Sequence, residues 1–306
     1  MSQPYPGPPG YHPAPYRMPP PVRTYKSLHR ITVVFGVLVV LTTIVTLIQA
    51  TLMWRSYDDV KRFVYGLLSE DEFDRAMQSI AGSGPLLNLV GLLFLGTGIL
   101  FLVWLWQARE NTEVFTPPTA VTYQNGQRLG SGAHRLDQGW VIGSWICPLV
   151  QFWFPLQVVE DVVRASAPAE ARSGRLRALL LGWWASWTAF WVIIVGGGGI
   201  AGLSILVWIV RVVDRAEAAN ENSDYLDLYD LQDFMVRLAL AVNVGFTVAA
   251  VMLAVAGATI VLLMFRTNAW QEERMSPQSS EPPAGPPQYV PRPAFPSYTQ
   301  PSPWQR

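Results

Sequence analysis

Four long stretches of the chain carry no Asp, Glu, Lys or Arg: residues 31–53, 84–107, 178–210 and 238–265. They are apolar all round, with no polar stripe that would mark a water-facing side. A hydrocarbon core about 30 Å thick is crossed by about 20 apolar helical residues, and each stretch reaches that length. A lone segment in lipid must satisfy its own backbone, which selects helix. The pattern predicts an all-α membrane protein with four transmembrane helices.

The third stretch is long for one crossing, at roughly 50 Å if wholly helical. Gly196, Gly197, Gly198 and Gly199 interrupt it. The expectation is one crossing near 178–200, softened at the glycines, with an interfacial extension to 213. A short re-entrant hairpin is the alternative. A fifth uncharged stretch, 138–159, contains Pro148 and Pro155 besides Trp140, Trp145 and Trp153. Interior prolines cost helix hydrogen bonds, and indoles favour the headgroup level. Residues 138–163 are therefore expected as broken helices in the interface, packed on the bundle.

Polar and Pro-rich sequence flanks this core. Nineteen of the 25 prolines lie in residues 1–22 and 276–306. Such tails cannot build ladders or a core, so residues 1–27 and 274–306 are expected as disordered arms around a membrane domain at 28–273. The first apolar stretch is expected to be a retained anchor, not a cleaved signal. The tails hold two Pro-Pro-x-Tyr strings, at 8–11 and 286–289, of a kind that aromatic grooves bind.

Charge sets the sidedness. Only 14% of residues are charged, against about 25% in soluble domains. Fifteen of the 22 Lys and Arg lie in the two tails and the loop after the second stretch. Positive charge is retained inside, so four spans place both termini at the cytoplasmic face of the plasma membrane. A fifth crossing at 138–159 would move Arg164, Arg172, Arg175 and Arg177 outside, against that rule. The two outer loops are acidic. The first is expected to hold a short amphipathic helix, with Val60, Phe63, Val64 and Leu67 on one face. In the second, Asp224, Asp227, Asp230 and Asp233 drift round a helix at a spacing of three. They suit a solvated face better than a metal site.

One region carries a more specific signature. The second stretch ends in Trp104-Leu105-Trp106-Gln107-Ala108-Arg109-Glu110-Asn111. Gly139-Trp140, Trp145-Ile146-Cys147-Pro148 and Pro155-Leu156-Gln157-Val158-Val159 follow, and then a Trp-rich span. This pattern resembles the actinobacterial membrane-protein family called domain of unknown function 4328, over roughly residues 85–275. The resemblance implies a multi-pass helical fold and Pro-rich tails, and it implies no activity. The Gly-rich segment at 196–210 departs from the family pattern.

The candidate interaction platform is Arg109, Asn111, Trp140, Trp145, Pro148, Trp153, Pro155, Glu160 and Asp161. Pro and Gly would set a rigid backbone there, Trp would anchor it, and the charged groups would offer contacts to a partner or a lipid headgroup. The same residues suit a plug that closes the bundle. Asn88 and Asn243 lie within spans, where polar groups usually join helices. No span has a central charge of the kind that marks a proton path.

His12, His29 and His134 lie far apart, so no cofactor or metal site is expected. With a single cysteine, Cys147, and no Ser/Cys–His–acid set or phosphate loop, no catalytic residue is expected either. Zero net charge and scattered cations argue against nucleic acid. The expected partners are membrane lipids and cytoplasmic proteins that read the Pro-rich tails. The favoured reading is a non-enzymatic scaffold or sensor. A channel or carrier for a small solute is the alternative, and it requires Asn88, Asn243 and Thr42, Thr43 and Thr46 to line one path.

Overall fold

The computed structural model describes residues 24–115, 122–124, 127–129, 134–147, 150–172, 174–222 and 227–276. The two tails before residue 24 and after 276, with their Pro-Pro-x-Tyr strings, Pro148 and Asp224 lie outside the described residues. Helix α1 (His29–Arg55) leads into the short α2 (Tyr57–Val64) and then α3 (Glu70–Phe115). Two short strands, β1 (Thr122–Gln124) and β2 (Gln127–Leu129), pair antiparallel with Thr122 opposite Leu129. This small hairpin has no counterpart among the sequence expectations. Next come α4 (Trp140–Ile146), a 3-10 turn (Val150–Phe152) and α5 (Phe154–Ser166). Helix α6 (Gly174–Trp191) runs through a π-helical segment (Val192–Gly197) into α7 (Gly198–Asn222), and α8 (Tyr229–Met275) follows. Four helices are long and apolar enough to cross a membrane.

All four long helices outrun their expected bounds. The second stretch was expected from residue 84, but Pro85 lies inside α3, which already begins at Glu70. A proline removes one bond from the helix ladder. The third helix also continues without a turn. From Gly174 to Asn220 it is one 47-residue rod, about 70 Å long, so residues beyond 200 continue the helix and form no hairpin. Glycine weakens a helix by about 1 kcal/mol, whereas leaving the helix in lipid would strand backbone groups at several kcal/mol each. The glycine run is absorbed as a local widening to π geometry. That segment packs on α8, where a Cβ on Gly245 would touch Ile193 at 3.8 Å.

The expected short helix of the first outer loop is α2, and none of its residues is buried. Arg62 ties it to Glu72 of α3 at 2.9 Å. At the same end, Arg215 of α7 pairs with Asp230 of α8 and Trp208 Nε1 donates to the Leu231 carbonyl at 3.0 Å. Asp233 is held by Arg237.

The long helices form an open arc in the order α3, α1, α8, α6. Helix α1 packs against both α3 and α8, and α8 packs against α6. The α1–α8 seam is tight because Gly257 faces Val39. A Cβ on Gly257 would stand 2.6 Å from Val39 Cγ1. At one end of the seam Trp54 Nε1 donates to Thr247 Oγ1 at 2.9 Å and Asn243 Nδ2 donates to the Met53 carbonyl at 3.3 Å. At the other end Asn268 Nδ2 donates to Thr32 Oγ1 at 2.7 Å. Residues 24–28, helices α4 and α5, and the last turns of α3 and α8 all gather at this second end. The chain thus brings both ends of the membrane domain and the central loop to one end of the bundle, as four crossings require.

The Gly257–Val39 approach gives a test. Gly257→Ala is expected to destabilise the protein in detergent by about 1–3 kcal/mol through overpacking. Adding Val39→Ala should recover part of that loss in the same thermal-unfolding assay.

Candidate functional site

The end of the bundle that carries α4 and α5 is held by buried polar side chains. Asn111 is fully buried. Its Nδ2 donates to the Lys26 carbonyl at 2.8 Å and to Gln271 Oε1 at 3.0 Å, while its Oδ1 accepts from the Lys26 N–H at 3.0 Å. Asn111 thus takes up both backbone groups of Lys26 and ties the segment before α1 to α3 and α8. Gln271, also fully buried, donates to the Ala108 carbonyl at 3.1 Å and to Ser166 Oγ at 2.8 Å. One turn back on α8, Asn268 Oδ1 accepts from Trp104 Nε1 at 3.1 Å. Arg274 donates to the Ala165 and Ala167 carbonyls at 2.8 and 3.1 Å and closes the C-terminus of α5.

Arg109 is 1% exposed and donates to the carbonyls of Leu136 and Asp137. It shapes the chain that leads into α4. Beside it, Thr112 donates to the Arg109 carbonyl at 2.6 Å, which leaves its oxygen to accept from His134 Nε2–H at 2.7 Å. Burial, and then the neighbouring Arg109 charge, push the His134 pKa down to about 3. His134 is thus held neutral. Asp161 accepts from both the N–H and Nε of Arg135 at 2.8 Å. Glu160 pairs with Arg135 and Arg164, each at 2.8 Å.

The expected platform residues therefore divide. Arg109 and Asn111 are interior clamps, and Glu160 and Asp161 are spent on arginines of their own chain. Pro155 is buried in the first turn of α5, where a missing N–H costs no bond. Trp140 packs edge-on against Phe154 at 4.8 Å. Trp153 stands 62% exposed. Trp145 reaches into the bundle, meeting Phe101 at 5.4 Å and Trp187 at 5.8 Å. Pro148 lies outside the described residues. The described members pack as a plug at this end of the bundle and do not share one outward face. Sequence reasoning missed Gln271, Asn268, Arg274, Arg135 and Ser166. The polar run Thr267-Asn268 followed by Gln271, one turn apart at the end of the last apolar stretch, was the available signal.

Beneath the plug lies a cleft between α3 and α6. Phe94 bridges it by stacking on Trp187 at 5.9 Å. The cleft has a volume of 740 Å³, and Phe35, Thr42, Trp145, Phe152, Trp184 and Gly196 are among its walls. Its rim includes Leu95, Ile99, Val192 and Val195, all exposed on helices of membrane-crossing length. Most hydroxyls here are satisfied locally. Thr42 donates to Leu38 and Thr97 to Leu93, each at 2.7 Å. Two polar atoms of the lining are buried without a partner among the described residues, Trp145 Nε1 and Thr188 Oγ1.

With this geometry in view, the family is clear. A family model described as a domain of unknown function (DUF4328) matches residues 67–268. The chain belongs to this family. The match takes in α3, the plug, the third long helix and most of α8, so both plug and cleft lie largely within the family region. It begins at residue 67, before the expected start near 85. Neither a curated protein nor a solved structure matches the chain.

Two outcomes test the plug. Asn111→Ala should lower stability by about 2 kcal/mol, since it leaves buried groups of Gln271 and Lys26 unpaired, and unfolding of the purified protein would register it. His134 titrates lower when folded than its ordinary value of about 6.5. The unfolded chain then binds the extra proton between pH 6.5 and about 3. Stability should be full above pH 6.5 and fall with acidification, by at most about 1.4 kcal/mol per pH unit. His134→Gln should flatten that dependence.

Proposed function

We propose that this protein is a non-enzymatic membrane sensor that holds the hydrocarbon chain of a membrane-dissolved amphiphile in the cleft between α3 and α6. The observation that carries this reading is the cleft itself. Its 740 Å³ lies within the range of about 300–1,000 Å³ typical of small-ligand pockets. Its walls are aromatic and aliphatic, and its rim faces the lipid side. Trp145 Nε1 and Thr188 Oγ1 are polar atoms without partners, and each unmet group of this kind costs about 1–3 kcal/mol. Both residues line the cleft, and a rotation of either side chain that brought its buried donor to the cleft surface would let a ligand hydroxyl or carbonyl satisfy it.

The plug supplies the sensing element. Trp145 and Phe152 line the cleft, while α5 behind them is bonded through Ser166 to Gln271 and so to Asn111 and Lys26. Filling the cleft bears on side chains that lead to the segment before α1. On this reading both termini lie at the cytoplasmic face, where most Lys and Arg gather, and the Pro-rich tails recruit the protein partner.

A channel has less support. Asn88 is exposed, Asn243 is bonded to Met53, and Thr42, Thr43 and Thr46 donate to carbonyls of their own helix. These groups do not converge on one polar path.

Photolabelling tests the reading. The full chain in lipid nanodiscs, irradiated with a diazirine-bearing fatty acid, should carry label on residues 94–102 and 184–196. Gly98→Trp, which fills the cleft, should cut that labelling about tenfold, the effect of losing about 1.4 kcal/mol of binding. Equal labelling of the lipid-exposed residues 200–210 of α7, unaffected by the variant, would overturn it.

A further inference from the structure

A second cavity lies where the third long helix enters its apolar run. It measures 650 Å³ and is lined by Arg164 of α5, Arg172 of the connecting segment and Arg177 of α6, with Leu176 and Leu180 among the other walls. Leu176 and Leu180 are 5% and 2% exposed, so the floor is apolar. Arg172 and Arg177 are exposed side chains. Arg172 Nε donates to the Ala167 carbonyl at 3.3 Å, which fixes its stem. Arg164 is paired to Glu160, whose carboxylate is already shared with Arg135. Among the described residues neither Arg172 nor Arg177 has an ion pair. The cavity therefore holds uncancelled positive charge.

We propose that Arg164, Arg172 and Arg177 bind the phosphate of an anionic membrane phospholipid. Three lines of chemistry converge on that ligand. Guanidinium groups match phosphate oxygens through paired N–H donors. Arg177 is the last charge before the uncharged run that begins at residue 178, so the cavity sits at the level where lipid phosphates lie. The floor continues in apolar side chains along α6, which suits a headgroup whose chains enter the bilayer. Basic pockets beside membrane helices recognise such headgroups. The start of α6 adds the positive end of an 18-residue helix to the same field. The site is separate from the cleft and stands without the sensor reading.

Arg175 provides an internal control. It is exposed and carries the same charge two residues before Arg177, but it does not line the cavity. The test is native mass spectrometry of the full chain in detergent. It would be titrated with dihexanoyl phosphatidylglycerol, dihexanoyl phosphatidylcholine and inorganic phosphate. The wild type should hold phosphatidylglycerol about tenfold more tightly than phosphatidylcholine, the scale of one or two charged hydrogen bonds. Arg172→Gln with Arg177→Gln should abolish that preference, Arg175→Gln should keep it, and Arg177→Lys should keep part of it. Arg177→Gln alone serves if the double variant does not fold.

Equal loss in Arg175→Gln would reduce the effect to diffuse surface charge and overturn the site. Inorganic phosphate binding as tightly as the lipid, with the same dependence on Arg172 and Arg177, would assign the pocket to a solution anion and overturn the lipid. No preference in the wild type would overturn both.

Discussion

The Asn111–Gln271 hydrogen bond, with the bonds that radiate from it, is the contact on which the rest of the bundle depends. Helices in lipid gain little from burying apolar surface against one another, because the surroundings are as apolar as their side chains. Specific orientation must come from packing shape and from polar groups that would otherwise be stranded. Asn111 and Gln271 are both fully buried, and their amides reach α3, α5, α8 and the backbone of Lys26. Without the Asn111 amide, Lys26 and Gln271 keep unmet groups; without the Gln271 amide, Asn111 and Ser166 each lose a partner. The other end of the α1–α8 seam is held more lightly, by Trp54 with Thr247 and by Asn243 with Met53.

The open arc follows from that arrangement. Helix α1 fills the space between α3 and α8, and Gly257 lets it come close. Helix α6 attaches on the far side of α8, so α3 and α6 are left as the two lips of a cleft. Rings, not backbones, bridge the gap: Phe94 meets Trp187, Phe190 and Trp191 at 5.7–5.9 Å. The plug then turns an open groove into a pocket closed at one end. Most of its own polar groups are satisfied internally, while Ser144 Oγ and Trp145 Nε1 are buried without a partner among the described residues.

Much of the fold was legible. Four uncharged stretches of sufficient length could only be spans, and the prolines of 138–159 could only break a helix there. Charge bias already favoured four crossings over five, and the structure gathers the matching segments at one end. The helix ends were less legible. The start of the second stretch at 84 and the glycine run read as boundaries, yet α3 and the third helix pass through them. Propensities of about 1–3 kcal/mol are outweighed where unpaired backbone costs more. The candidate site was half legible. Trp/Pro spacing located the plug, but Arg109, Asn111, Glu160 and Asp161 looked available for partners. Their use depends on Gln271, Arg135 and the carbonyls of residues 136 and 137, which lie 25–160 positions away along the chain.

By itself the amino-acid order determined that this chain enters a membrane, how many times it crosses and where it is interrupted. Those properties follow from local hydropathy and backbone hydrogen bonding, which each segment carries alone. Only the tertiary structure decided that α3 and α6 stand apart, that Trp145 and Thr188 face an apolar hollow, and that Arg164, Arg172 and Arg177 share one cavity. Such facts belong to no single segment. They arise because a side chain's partner is set by how helices are placed in space, and that placement is the joint solution of contacts spread over the whole chain.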